Sequence, residues 1–147
     1  MLLMQSNDTV ELLKECSSGV RMGVDSINEV IDKAQSQRLR DVLTRAREEH
    51  ERLGNEADCL LTRYGDDAKQ PNPVAKGMSW LKTNVKMAVD DSDQTIADLM
   101  TEGCGMGIKS LNRYLNQYTT AGDEARGLAR KLIRTEENLV EDLRRFL

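Results

Sequence analysis

Between residues 39 and 64, Leu39, Leu43, Ala46, His50, Leu53, Ala57, Leu60 and Tyr64 recur at 4-3-4-3-4-3-4 spacing. Only an α-helix returns to one face every three or four residues, so the stretch predicts a helix with one long seam turned toward partner helices. The same rhythm appears three more times. It runs through Leu13, Cys16, Val20, Val24, Ile27 and Ile31, then through Ile96, Met100, Cys104, Ile108, Leu111 and Leu115. Its last run is Ala125, Ala129, Leu132, Glu136, Leu139, Leu143 and Phe146. Aromatic residues make up only 3% of the chain, which disfavours a β-sandwich or barrel. The expected fold is all-α, a four-helix bundle forming a single domain over residues 1–147.

Local signals set the boundaries. Asp8-Thr9-Val10-Glu11 resembles a capping box and predicts a first helix over about 8–34. The second is expected over 37–64, stopped by Gly65 in a left-handed turn. Asp90-Asp91-Ser92-Asp93 caps a third over 93–120, and Gly122-Asp123 starts a fourth over 123–147. Each has roughly 25 residues and a length of about 37 Å. The connection 65–92 holds both prolines, Pro71 and Pro73, and a short amphipathic stretch at about 78–89 with Met78, Leu81, Val85 and Ala88 on one side. So long a connection can run the length of the bundle, making helices two and three parallel. The alternative is that its short helix covers one end.

The two halves of the chain echo one another. Met22-Gly23-Val24-Asp25-Ser26-Ile27-Asn28 precedes Met106-Gly107-Ile108-Lys109-Ser110-Leu111-Asn112 by 84 residues, and both read Met-Gly-aliphatic-x-Ser-aliphatic-Asn. Helix two aligns more weakly with helix four at an offset of 86, which pairs Leu53 with Leu139 and His50 with Glu136. A duplicated αα-hairpin with an approximate two-fold axis follows. Gly19 and Gly23, like Gly103 and Gly107, then stand four apart at mid-helix. An interior glycine costs a helix about 1 kcal/mol against alanine, so the four imply close helix packing or a pocket at the bundle waist.

His50 and Glu136 occupy seam positions at mid-helix, where an unpaired polar group costs several kcal/mol. They are expected to hydrogen-bond across the core, to be relieved by a helix rotation that lets Glu136 reach water, or to hold a metal, with Glu49, Glu102 and Glu137 nearby to turn inward. Cys16, Met100, Cys104 and Met106 are soft ligand types on the apolar faces of helices one and three, where packing is the commoner use. A Cys104–His50 nucleophile pair has no support in the sequence. Thr101-Glu102-Gly103-Cys104-Gly105-Met106-Gly107 follows no strand and is no phosphate loop.

Charge excludes further classes. Lys and Arg total 21 against 25 Asp and Glu, a net charge of −4, and the two signs are interspersed rather than gathered into a basic face. Nucleic-acid binding is not expected, nor is a membrane span. Met1-Leu2-Leu3-Met4 is too short for a signal sequence, and three scattered cysteines form no disulfide framework, so the expected location is cytoplasmic.

In bundle length, crossover, internal duplication and the stretch from Trp80 through Val85 to Leu111, the chain resembles the ferritin-like superfamily. The nearest likeness is to small bacterial families related to rubrerythrin. The resemblance implies a di-iron centre, with a Glu from each of helices one and three and a Glu-x-x-His from each of helices two and four. Here Arg47 precedes His50 by three, Leu139 follows Glu136 by three, and Gly19 or Val20 and Gly103 or Cys104 occupy the other places. Four of six ligands are therefore missing, and no working di-iron oxidase is expected. The sequence points to a non-enzymatic bundle that acts as a homo-oligomer or on a protein partner, with Trp80 as an interface anchor and no cofactor. The alternative is a divergent site for iron, another divalent metal or a small ligand at the waist.

Overall fold

A computed structural model of the protein describes residues 2–65 and 90–147. Helix α1 spans Leu2–Val30 and passes into a 3-10 turn at Ile31–Lys33. Helix α2 spans Gln37–Arg63, α3 spans Asp93–Gln117, and α4 spans Asp123–Leu143 with a closing 3-10 turn at Arg144–Phe146. No strand occurs among the described residues. The expected helix at 78–89, the path of the crossover and Trp80 lie outside the described residues.

Caps explain most of these limits. The Ser36 hydroxyl accepts from the Leu39 N–H at 3.4 Å, and the Ser92 hydroxyl accepts from the Thr95 N–H at 3.2 Å. Gly65, at φ 70°, ends α2 in the left-handed conformation that glycine adopts without strain. The start of α1 differs from expectation. Asp8 and Thr9 lie inside the helix, and their side chains turn to the other hairpin. The Asp8 carboxylate accepts from the Thr120 N–H at 3.0 Å and from its hydroxyl at 2.6 Å, and these bonds hold its pKa below the usual carboxylate value. The Thr9 hydroxyl accepts from the Gly122 N–H at 2.8 Å, at the α4 N-terminus, where the glycine has no side chain to cap with.

At the opposite end, Asp93 accepts from the Gln35 and Ser36 N–H groups at 2.8 and 2.9 Å. The first helix of each hairpin thus holds the turn of the other. These contacts fix the topology. The α1 N-terminus meets the α3–α4 turn, and the α1–α2 turn meets the α3 N-terminus. Arg63 at the end of α2 bonds to Glu124 at the start of α4. Helix α1 therefore runs antiparallel to α2 and α3, and α2 runs parallel to α3, a connectivity that needs a crossover rather than a tight turn.

The core forms two apolar clusters, one toward each end. Leu12, Leu13, Cys16, Val20, Leu53, Ala57 and Leu111 belong to one, with Ala125, Ala129 and Leu132. Ile96, Ala97, Met100, Cys104, Leu139, Leu143 and Ile27 belong to the other, with Leu39, Leu43 and Ala46. Residue by residue, the second set is the first displaced by 84 on α1 and α3 and by 86 on α2 and α4. An approximate two-fold axis exchanges the hairpins and, with them, the two halves of the core. The seam expected on α2 is buried from Leu39 to Leu60, whereas Tyr64 is exposed.

Candidate functional site at the bundle waist

A seam filled only with aliphatic side chains would run unbroken from end to end. Here a polar layer interrupts it between the two clusters. His50, on the seam of α2, is 1% exposed, and Glu136, on α4, keeps 12% of its side chain exposed. His50 Nε2 hydrogen-bonds to Glu136 Oε1, and His50 Nδ1 donates to the Ala46 carbonyl at 2.7 Å. A carbonyl can only accept, so Nδ1 carries a proton. Burial alone would lower the His50 pKa. The hydrogen bond and charge of Glu136 outweigh it, with help from the Ala46 carbonyl and the Glu49 charge, and the net shift is upward. Both ring nitrogens are thus engaged, one on a carbonyl and one on a carboxylate, and the net shift favours the protonated ring.

The four glycines divide into two kinds. A Cβ at Gly23 would stand 2.9 Å from His50 Cδ2 and 3.2 Å from Nε2, and one at Gly107 would stand 3.5 Å from Glu136 Oε2. Gly23 and Gly107 are equivalent across the two-fold axis, as are His50 and Glu136. Each polar side chain therefore sits against a glycine of the neighbouring helix, and the space is filled by protein rather than left as a pocket. Gly19 and Gly103, where close packing of helices one and three was expected, have nothing within 4 Å of a Cβ. Their neighbours Cys16, Val20 and Cys104 take the buried side of the two helices instead.

The other candidates disperse. Glu102 and Glu137 are exposed, and Glu49 pairs with Arg52 on the surface. Cys16 lies in one core cluster and Met100 and Cys104 in the other, while Met106 is 61% exposed, so the soft ligands do not converge. Cys104 faces Glu136. Burial, followed by the charge of Glu136 and a hydrogen bond to it, pushes its thiol pKa strongly upward, opposite to what a nucleophile needs. Among the described residues no group of three or more His, Cys, Asp and Glu is placed to hold a metal ion. With both His50 nitrogens engaged and one carboxylate beside them, these residues do not fit the di-iron centre that the resemblance implies.

Sequence reasoning missed the latches of Asp8, Thr9 and Asp93, and the bond from the buried Ser17 hydroxyl to Asp58 Oδ1 at 2.7 Å. The Asp8-Thr9 signal was visible, but as a helix start. Asp58 carried none, lying off the seam.

No family model and no curated protein matches the sequence. Among solved structures, the chain is similar to the DUF305 fragment from Deinococcus radiodurans. The TM-score is 0.74 at 12% identity, over 93% of each chain. At that identity the likeness speaks for the four-helix fold alone. No described helix is long and apolar enough to cross a membrane.

Proposed function

We propose that the protein is a non-enzymatic helical bundle that acts through its surface, by associating with a second copy or with another protein. One observation carries this reading. Gly19 on α1 and Gly103 and Gly105 on α3 stand in mid-helix with nothing within 4 Å of a Cβ, and Met106 of α3, next to Gly105 in sequence, is exposed. Each weakens its helix by about 1 kcal/mol against alanine, and none gains internal packing in return. A second helix lying against bare backbone would use that space. At the waist, the engagement of both His50 nitrogens supports a structural pair over a ligand site.

Light scattering of the untagged protein across concentration tests the self-association arm. The expected result is a dimer or larger species that Gly103→Leu disrupts without lowering the monomer's helicity. For another protein as partner, the same variant should abolish co-purification from a cell extract. A monomer at every concentration, with no partner lost on Gly103→Leu, contradicts the proposal. So does stoichiometric bound metal that disappears in His50→Ala or Glu136→Gln, which favours a divergent metal site.

A further inference from the structure

Because the two-fold axis exchanges the hairpins, the surface that α1–α2 presents to α3–α4 is built to nearly the same pattern as the surface it receives. Such a surface is close to self-complementary, and a second copy of the same hairpin would meet most of its packing needs. Apolar contacts discriminate little, since the ten positions named for each cluster are aliphatic, Ala, Cys or Met in both halves. Of the exposed bonds between hairpins, Lys131 to Glu56 at 3.2 Å does not discriminate, because the residue equivalent to Lys131 is Arg45. Arg63 to Glu124, whose equivalent is Arg38, favours the mixed pairing only weakly because both side chains are exposed. The waist is different. Like pairing would set His50 against His50, or Glu136 against Glu136, in the middle of the core.

We propose that His50 and Glu136 decide which hairpin pairs with which. They admit α1–α2 against α3–α4 and reject α1–α2 or α3–α4 against the same hairpin of another copy. With each Nδ1 taken by its own helix, two buried imidazoles would bring Nε2 against Nε2, as two bare lone pairs when neutral and as like charges when protonated. Two buried carboxylates repel, whereas the mixed pair satisfies itself. A single polar seam residue fixes partner choice in coiled coils by the same logic. Geometry allows the roles to be exchanged. Gly23 and Gly107 leave room at both positions, and the carbonyl that His50 Nδ1 meets belongs to Ala46, four residues back, where Leu132 stands relative to Glu136.

The test uses full-length chains: His50→Glu, Glu136→His and the double exchange His50→Glu/Glu136→His. In either single variant every hairpin pairing, within or between chains, is like against like. Both should melt well below the parent protein. The double exchange should recover most of the lost melting temperature as a bundle closed within one chain. The decisive arm unfolds the two single variants together and refolds them at equimolar ratio. Hairpins exchanged between the two chains would form two mixed pairs, giving a 1:1 heterodimer of twice the 16.6 kDa chain mass. Neither variant refolded alone should give that species. A mixture that behaves as the two separate chains, or a double exchange that melts no higher than the singles, overturns the proposal. Mixing the two variants while folded is the control, because surface association forms between folded chains whereas exchange of hairpins needs the chains to open. A species that appears only after joint unfolding therefore tests this proposal separately from the surface-association reading.

Discussion

Alanine at Gly23 and at Gly107 should move stability in opposite directions, although the two positions are equivalent in sequence and helix register. At either site alanine gains about 1 kcal/mol of helix propensity. At Gly107 the new methyl group meets the nearest atom of Glu136 at 3.5 Å, an ordinary contact, so most of that gain should survive. At Gly23 the methyl group would stand 2.9 Å from the His50 ring, which is buried and held at both nitrogens. The ring cannot swing away without breaking the bond to Ala46 or to Glu136. Forced overpacking of this kind costs about 1–3 kcal/mol, and a weakened waist bond adds to it. The net expectation is a loss of about 1–2 kcal/mol for Gly23→Ala and a gain of up to about 1 kcal/mol for Gly107→Ala. In a chain of this size these correspond to a fall of roughly 2–8 °C and a rise of at most roughly 2–4 °C. Paired thermal melts by circular dichroism at neutral pH read both. A Gly23→Ala protein that melts level with Gly107→Ala, or above it, would refute the assignment of Gly23 as the seat of the imidazole.

Three further outcomes follow from the same contacts. The folded His50 pKa is raised above its ordinary 6.5, so its stabilisation is fully present below pH 6.5 and is lost as pH rises through the folded value. The parent's melting temperature should therefore fall on the alkaline side of 6.5, a slope that Glu136→Gln flattens while costing about 3 kcal/mol, the lower end for breaking a buried pair. An aromatic disulfide reagent should titrate one thiol quickly, the exposed Cys59, and all three only in denaturant. Cys16 is pushed up to about 12 by burial and by the charge of Glu15, and Cys104 is also buried and raised. Thr9→Val keeps the shape of a buried residue but orphans the Gly122 N–H, and should cost about 1–2 kcal/mol in urea unfolding; no change would remove Thr9 as the cap of α4.

The four helices were legible because each keeps one buried seam over many turns, and period alone reveals that. The repeat was legible on α1 and α3, where Met-Gly-x-x-Ser is spelled out twice. On α2 and α4 the likeness survives mainly as core position, so the matching clusters show it better than residue identity does. The start of α1 was misread for a physical reason. An Asp-Thr pair has the right groups for an N-cap, and those groups serve equally well to cap a turn brought close only by tertiary folding.

At the waist, His50 and Glu136 could be named because a polar residue on an apolar seam needs a partner. That they are one another's partner was one of three readings, beside a metal site and a rotation of Glu136 toward water, and spacing alone could not choose among them. The division of the glycines was hidden as well. Gly19 and Gly23 are alike in sequence, and only the rotation of α1 sends one to the core and the other to the surface.

The chain has a single histidine, which makes the central claim open to one direct measurement. In protein labelled with 15N-histidine, NMR reports the two ring nitrogens of His50 without any assignment problem. The account predicts that both carry slowly exchanging protons at pH 6.5 and that the ring titrates above this value. A ring with one bare nitrogen at that pH, or one that titrates at or below 6.5, would contradict the closed His50–Glu136 pair.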